Sequence, residues 1–215
     1  MPRFKMPKKS TLVDMTAMTD MVFLILNFFI MSTSAKPDEP VAIVTPSSIN
    51  TQLLPDADVI LVSIDKTGRV FFSMDGQPKR RKMIEDLNQQ FKLGLDEKEM
   101  NMFMLGASVG VDMKHLKEYL GLSSANRKKY NKETGIPADT INNELAVWIE
   151  YAQAAQGSNI KALKYCIKAD NATPYPMVKQ VMETFKKKGV QHLNLVTNLE
   201  EAPEGTAAAM AKNDR

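Results

Sequence analysis

Cysteine and histidine are scarce in this 215-residue chain, which holds one cysteine, Cys166, and two histidines, His115 and His192. A single cysteine excludes an intrachain disulfide and a zinc site made of cysteines alone. The two histidines have no metal-ligating neighbours in the sequence, which argues against a histidine-based metal centre. Cys166 lies in a strand pattern without a histidine at catalytic spacing, so we expect a buried, inert thiol. We therefore predict no enzyme site, no metal and no cofactor.

A large excess of charge of one sign is also lacking. Lys and Arg number 28 against 25 Asp and Glu, a formal net charge of +3. Residues 1–35 hold four of the bases and two of the acids, which leaves 24 bases and 23 acids in the rest. This balance argues against a nucleic-acid partner. The 44% hydrophobic content is ordinary for a chain that buries a core.

One long apolar run dominates the N-terminal part of the chain. The block MVFLILNFFIM, residues 21–31, is too short to cross a bilayer, but residues 16–35 give the roughly 20 residues that a spanning helix needs. No basic excess follows the run, whereas four bases precede it: Arg3, Lys5, Lys8 and Lys9. The positive-inside rule therefore predicts a single-pass helix with residues 1–15 in the cytoplasm and the rest exported.

A cleaved signal peptide is the alternative for this run. Thr33 and Ala35 loosely fit a cleavage site, and cleavage would leave a mature N-terminus near Lys36, as in a secreted enzyme. The bases, however, stand about ten residues before the apolar block, farther than an export signal requires. The stretch between them also holds two aspartates and three threonines. We therefore favour an uncleaved anchor.

Asp20 places a carboxyl group inside the predicted span. A charged side chain in a membrane helix costs about 2.5–3.5 kcal/mol, so we expect it to face protein or a water-filled path. At about 100° per residue, Thr16 and Asn27 fall within about 40° of Asp20 and make one polar stripe. Burial raises the pKa of a carboxyl group and nearby donors lower it, so a site of this kind can load and release a proton near neutral pH.

Two interpretations of this stripe remain open on residue types alone. In the first, Asp20 is a proton relay, with Thr16, Thr19 and Asn27 as its proton-coupling partners. In the second, Asp20 reaches back to the membrane surface, and Thr16 and Thr19 bond to their own helix. In either case the stripe needs neighbouring helices that shield it from lipid.

The segment DMTAMTDMVFLILNFFIMSTS, residues 14–34, resembles the transmembrane helix of the ExbD/TolR family. Asp20 falls on the membrane aspartate that this family is understood to use for proton coupling. Ala17 stands where the family usually has proline, and Asn27 interrupts the apolar run, but neither departure removes the carboxylate. A second segment, IKADNATPYPMVKQVMETFKKKGVQHLNLVT, resembles the pattern of the family's periplasmic domain. The two motifs occur in the order that the family has.

Residues 36–57 are predicted to be an extended linker, because Pro37, Pro40 and Pro46 prevent a helix. Within it, VAIVTPSS is similar to a short strand-forming motif of the family. The resemblance implies that this motif pairs with a strand of the exported domain or of a partner, by β-augmentation. The candidate partner-binding residues are Val41, Ile43, Pro46 and Ser47. A solvated tether is the alternative.

Residues 58–199 are predicted to form a small two-layer α+β domain. The alternation in 58–74 predicts a hairpin, and 77–91 has helical spacing. KALKYCIKA predicts a strand, Thr173 and Pro174 an N-cap and first helical residue, Gly189 the end of that helix, and VQHLNLVTN a final strand. Residues 92–159 do not match the family's compact core. We interpret them as a helical insertion that packs beside the sheet, with helical spacing over residues 139–156 and Trp148 as a buried anchor. Residues 200–215 are interpreted as a disordered tail.

The fold class is therefore a single-pass transmembrane helix followed by a periplasmic α+β domain with a helical insertion. The resemblance implies an inner-membrane subunit of a motor that is driven by the proton-motive force. It also implies an ExbB-like multi-pass partner, at least two copies of this chain, contact with membrane lipid, and a TonB-like protein that is energised for transport across the outer membrane. Two alternatives stay open: a TolR-like role in envelope integrity, and a periplasmic binding or scaffold protein with a purely structural anchor.

Overall fold

The computed structural model describes residues 15–32, 41–49, 57–127, 130, 134–139 and 141–200. The chain forms two units, one within residues 1–36 and the other within residues 37–215. The described part of the first unit is one helix, α1 (Met15–Ser32). The second unit is a globular domain of helices and strands.

Helix α1 is predominantly apolar, with large hydrophobic side chains around most of its circumference. None of its 18 residues is buried, its mean hydropathy is 1.6, and it is long and apolar enough to cross a membrane. At 1.5 Å per residue the helix is about 27 Å long, close to the roughly 30 Å of a bilayer's hydrocarbon core. The helix begins one residue before the predicted span. Residues 33–35 of that span and the predicted N-terminal segment before Met15 lie outside the described residues.

The domain is built on a four-stranded sheet. Strands β2 (Val59–Ile64) and β3 (Val70–Met74) form the predicted antiparallel hairpin. β4 (Lys164–Ala169) pairs with β2 in parallel, and β5 (Leu193–Leu195) pairs with β4 in parallel. The strand order is therefore β3-β2-β4-β5. Parallel neighbours need long crossover connections, and the insertion and the last helix supply them.

Two helices that the sequence predicts cover one face of this sheet. They are α2 (Gln77–Phe91), with the predicted bounds, and α7 (Tyr175–Lys187). The inward residues of β2 share one core with apolar residues of α2 and α7, and all of them are fully buried: Ile60, Val62, Ile64, Met83, Ile84, Leu87, Val181 and Phe185. A sheet face under a helical layer is the predicted two-layer arrangement.

The start of α7 corrects one prediction. Pro174 occupies the N-cap position and the helix begins at Tyr175, so Thr173 does not cap it. The Thr173 hydroxyl instead donates to the Asp65 carbonyl at 3.0 Å, where β2 ends. The Thr173 side chain is thus directed to the end of β2, and the helix begins one residue later than the sequence predicts. Gly189, at φ +79°, follows the helix as predicted.

The described residues of the insertion include four α-helices: α3 (Glu97–Leu105), α4 (Leu116–Gly121), α5 (Ser124–Arg127) and α6 (Glu144–Gln156). A 3-10 helix, Gly157–Ala162, follows α6. Helix α6 starts five residues later than the apolar spacing suggests, because the Asn143 side chain caps it by accepting from the Ala146 amide. The insertion also covers the outer edge of the sheet, where Phe72 of β3 and Val109 exchange backbone hydrogen bonds of 2.8 and 2.9 Å.

Trp148 is the anchor of the insertion, as the sequence predicts. It is fully buried in α6. Its ring centre lies 5.5 Å from that of Phe72 in the sheet and 5.8 Å from that of Phe103 in α3. Aromatic contacts of this kind stabilise beyond the area they bury, so one side chain joins the insertion to the core.

Truncation of the Trp148 side chain tests how much it contributes to the stability of the domain. We expect Trp148→Ala to lower the free energy of unfolding by about 3–5 kcal/mol, because it leaves a large cavity at a fully buried site. Tyr175→Ala is the matched control, since Tyr175 is an aromatic residue with 71% of its surface exposed. It should change stability by less than about 0.5 kcal/mol. Calorimetry of the full-length protein in detergent measures both variants, and equal losses would contradict the anchor role.

Candidate functional site

Asp20 is the one ionisable residue of α1. It is the sixth of the helix's 18 residues, so its Cα lies about 7.5 Å along the axis from that of Met15. Asp20 therefore stands in the N-terminal third of the described helix, and it is also near the N-terminal end of the predicted span, as the fifth of its 20 residues. The carboxyl group is therefore the one charged side chain of a predominantly apolar helix.

The polar residues near Asp20 divide into two groups. Thr16 and Asn27, four residues before and seven after it, are at helical spacings that return to the same face. The hydroxyl of Thr19 donates to the Met15 carbonyl at 2.7 Å. For Thr19 this is the back-bonding that the second interpretation of the stripe expects. The polar stripe itself consists of Thr16, Asp20 and Asn27.

Large apolar side chains surround this stripe. Twelve of them are exposed on α1, and their exposed fraction ranges from 51% for Ile25 to 87% for Met31. Lipid or other apolar helices can cover such a surface, but neither can satisfy an isolated carboxylate. The helix therefore carries one group that needs a protein or water environment and many that need an apolar one.

A second candidate site lies in the globular domain, where the linker returns onto it. We use the term linker dock for the contact of residues 44–48 with two places in the domain: the turn after β4, at Asp170 and Asn171, and the segment of residues 198–200. Within it, strand β1 (Ser47–Ser48) pairs in parallel with strand β6 (Asn198–Leu199). The predicted pairing of the linker with a strand thus occurs here with a strand of the same chain.

Hydrogen bonds between described residues hold the linker dock, among them five that join residues 44–48 to the domain. The Val44 amide donates to Asp170 Oδ2 at 3.0 Å, and the Asn171 amide donates to the Val44 carbonyl at 2.9 Å. The carbonyls of residues 45, 46 and 48 accept the other three, from the Asn198 side chain, the Asn198 amide and the Glu200 amide. Thr45 is buried, with 7% of its surface exposed. Backbone groups carry most of this contact, which is the chemistry of an added strand.

The predicted linker residues contribute unequally to the dock. Pro46 and Ser47 lie in it and are exposed, while Val41 and Ile43 precede it and are partly buried. The predicted linker's residues 36–40 and 50–56 lie outside the described residues. The sequence interpretation missed Val44, which bonds Asp170 and Asn171, and Thr45, whose carbonyl accepts from the Asn198 side chain. Asp170 stands in the KADN motif of the family-like segment, which is the signal that could have pointed to it.

Asp170 is an ionic anchor of the dock. The Ala172 and Val44 amides donate to its carboxylate and lower its pKa, partial desolvation opposes them, and Lys66 adds a smaller favourable effect. The neighbouring Asp65 is nearly buried, which raises its pKa. Hydrogen bonds from Thr67 and Arg69 outweigh that burial and lower the pKa overall. Both carboxylates are therefore charged at neutral pH.

The lowered pKa of Asp170 gives a pH dependence. A carboxyl group whose folded-state pKa is depressed contributes stability above its unfolded value, about 3.9, and loses it as the pH falls through the folded value. We therefore expect Asp170→Asn to be less stable than the parent protein at pH 7, with the difference shrinking as the pH falls below about 4 and through the lowered pKa of Asp170. The fluorescence of Trp148, the only tryptophan, reports unfolding of the full-length protein. Asp86→Asn makes the same charge change and is the control, because its stability should equal that of the parent protein at every pH. A stability difference between Asp170→Asn and the parent that persists at low pH would contradict this prediction.

The other residues singled out in the sequence do not form a catalytic arrangement in the described part of the chain. Cys166 is fully buried, and burial raises its pKa, an effect that Asn194 partly offsets. His115 Nδ1 contacts Asp112 Oδ1 at 2.6 Å beside α4, and His192 is exposed before β5. The described residues contain no cluster of three or more His, Cys, Asp or Glu side chains that could hold a metal ion.

The final strand of the sequence prediction is divided in two. β5 pairs with β4, and the chain then leaves that sheet after Val196 so that β6 pairs with β1. The Val196 amide still donates to the Ile167 carbonyl at 2.8 Å. This break gives the linker its docking strand, because β6 is free to take a partner outside the four-stranded sheet.

Comparison with protein families adds an independent finding. A family model described as biopolymer transport protein ExbD/TolR matches residues 7–200, which is nearly the whole chain and includes α1, the linker dock and the insertion. No curated protein and no solved structure shows significant similarity to the chain.

Proposed function

Because the chain belongs to the ExbD/TolR family of biopolymer transport proteins, we propose that it is an ExbD-like subunit of a proton-driven motor with Asp20 as the proton-carrying residue. The family has a role that is linked to the proton-motive force. Its members work in complexes with multi-pass membrane proteins and with TonB-like or TolA-like proteins. The observation that carries the proposal is the single carboxylate on a predominantly apolar helix that has no buried residue.

Protonation changes which environment suits this helix. The charged form of Asp20 avoids an apolar position by about 2.5–3.5 kcal/mol, whereas the neutral form loses most of that preference. At 1.4 kcal/mol per factor of ten, this difference shifts an equilibrium between two helix positions by on the order of 100-fold. Entry of a proton from one side and exit to the other would then move the helix in one direction. Thr16 and Asn27 would line the same path.

The polar stripe requires a protein surface opposite it. We place α1 inside a multi-pass ExbB-like partner, with at least two copies of this chain and the remaining apolar surface against partner helices and lipid. The four bases before the helix support a cytoplasmic N-terminus, with the globular domain in the periplasm. The chain is in this view a single-pass protein of the inner membrane.

The linker dock would transmit the movement. Two residues on each strand and five hydrogen bonds make a small contact with mostly exposed partners, so its opening costs far less than unfolding the domain. A pull from α1 would release residues 44–48 and expose β6. A strand of a TonB-like protein could then take the place of β1, because the same backbone groups would be free.

Recovery of the complex from membranes tests the proposal. A tagged copy of the chain should co-purify with a multi-pass partner and, after crosslinking at Val41 or Ile43, with a TonB-like protein. A TolA-like protein in its place would assign the chain to envelope integrity with the same proton chemistry. Recovery of the chain without any multi-pass partner would favour a scaffold protein whose helix is only an anchor.

A further inference from the structure

The insertion holds a cavity that the motor described above does not use. It lies where the end of α2, the start of α4 and the start of α6 meet, and has a volume of about 550 Å³. Its apolar walls include Phe91, Met113 and Val147. Phe91 is 42% exposed although it is aromatic, so this wall is open to solvent.

Three lysines stand around this opening: Lys92, Lys114 and Lys117. All three are exposed, and none forms an ion pair with a carboxylate of the described residues. The Lys117 ammonium donates to the Gly94 carbonyl at 2.5 Å, which holds it at the rim. Like charges gathered around one opening repel each other, so an unliganded site of this kind stabilises nothing by itself.

One acidic residue, Glu144, lines the cavity, and its carboxylate already accepts a hydrogen bond from the backbone. Glu144 Oε2 accepts from the Met113 amide at 2.8 Å, and its other oxygen lies 3.4 Å from the Asn142 side-chain nitrogen. The carboxylate thus fixes the wall between α4 and α6. The site is preformed, with three cationic groups outside and apolar surface within.

The backbone of Lys92 gives a second reason to treat the lysines as more than solvated charges. Lys92 ends α2 in the left-handed conformation, at φ +51° and ψ +45°. Helix ends strongly favour glycine there, because a Cβ atom is strained in that region. A lysine at this position carries a cost in stability and places an ammonium at the rim.

We propose that this cavity binds an acidic peptide segment of a partner protein, in which carboxylates flank an apolar side chain. The apolar side chain would enter between Phe91, Met113 and Val147, and the carboxylates would pair with the three lysines. Electrostatic complementarity at an exposed rim sets partner choice and association rate, and the apolar contact supplies affinity. The lining residues lie in the segments 91–93, 113–117 and 142–147, so the site shares no residue with α1 or with the linker dock.

Fluorescence polarisation with the full-length protein in detergent tests this, using a fluorescein-labelled peptide of sequence GEELFEEG as the probe. We expect saturable binding that weakens as salt rises. Replacement of the glutamates by glutamine, or of the Leu-Phe pair by two serines, should each weaken binding at least about tenfold. Equal binding of the glutamine peptide would overturn the proposal.

Variants of the chain locate the binding. Lys92→Gly should weaken binding about two- to fivefold, as for one exposed ion pair, and should raise the unfolding temperature, since glycine relieves the strain at this helix end. Joint replacement of the three rim lysines by glutamine should weaken it at least about tenfold. The matched control replaces Lys82, Lys98 and Lys187 by glutamine, with the same change in net charge, and should leave binding within about twofold. Equal effects of the two triple variants would overturn the site.

The chain's own residues after Glu200 include Glu201 and Glu204 and could offer similar chemistry. Truncation after Glu200 separates the two sources. If a partner is the occupant, the truncated protein binds the probe with unchanged affinity. A rise of tenfold or more would show that the cavity serves the chain's own tail and would overturn the assignment to a partner.

Discussion

Asp20→Asn is expected to abolish proton-driven function while the protein is inserted and accumulates normally. Asparagine has nearly the same size and polarity, but it cannot gain or lose a proton. The side chain therefore stays neutral, and proton binding can no longer shift the helix between its two positions. The charged form of Asp20 avoids an apolar position by about 2.5–3.5 kcal/mol. Loss of this energy difference should reduce activity on the order of 100-fold. Growth that depends on energised uptake across the outer membrane measures this, with immunoblots of membranes as the check on abundance.

Two further variants of α1 make this result specific. Asp20→Glu keeps a carboxyl group on the same face and should retain part of the activity. Asn27→Ala removes a polar residue from the stripe but leaves the carboxylate, so it should reduce activity much less than Asp20→Asn. Normal activity of Asp20→Asn would mean that the helix serves as an anchor, and the motor interpretation would be wrong.

Locking the linker dock is the second change with a large expected effect. Ser47 and Asn198 are direct partners in the parallel pairing of β1 and β6. Neighbouring strands are about 4.8 Å apart, within the Cα distance that a disulfide tolerates. The double variant Ser47→Cys, Asn198→Cys should crosslink, and activity should fall to the level of Asp20→Asn if the dock must open in each cycle.

The controls for the lock lie within the chain. Each single cysteine variant loses at most one contact of the dock and should retain nearly full activity. A reductant should restore the activity of the double variant by breaking its disulfide. Cys166 is fully buried and should not compete for the disulfide. Full activity of the crosslinked protein would show that the linker stays docked while the motor works, and the transmission step would need another element.

The sequence predicted the regular elements of this protein well where local signals were strong. The bounds of α2 were correct because Pro78 lies in its first turn and the apolar spacing stops at Phe91. The hairpin of β2 and β3 was correct because alternation and a turn with glycine agree. Predictions failed by one to five residues where a side chain bonded elsewhere: Thr173 to the Asp65 carbonyl, and Asn143 as the cap of α6.

Sites that join distant segments could not be predicted in the same way. The resemblance identified Asp20 as the candidate proton-carrying residue, because the family's membrane motif lies within one continuous helix. The linker dock joins residues 44–48 to 170–171 and 198–200, and no local pattern reports such a pairing. The lysine-rimmed cavity combines three segments of the insertion, and each lysine alone is typical of a solvated surface. Long-range placement, rather than residue type, makes these features sites.

Proton flux through the assembled complex is the most direct test of the central claim. The chain and its multi-pass partner would be reconstituted in vesicles with an internal pH dye, and a proton gradient would then be imposed. We predict a flux with the parent chain that falls to the level of empty vesicles with Asp20→Asn, at equal protein content. An unchanged flux with Asp20→Asn would contradict the account, because the proton would then cross without this carboxyl group.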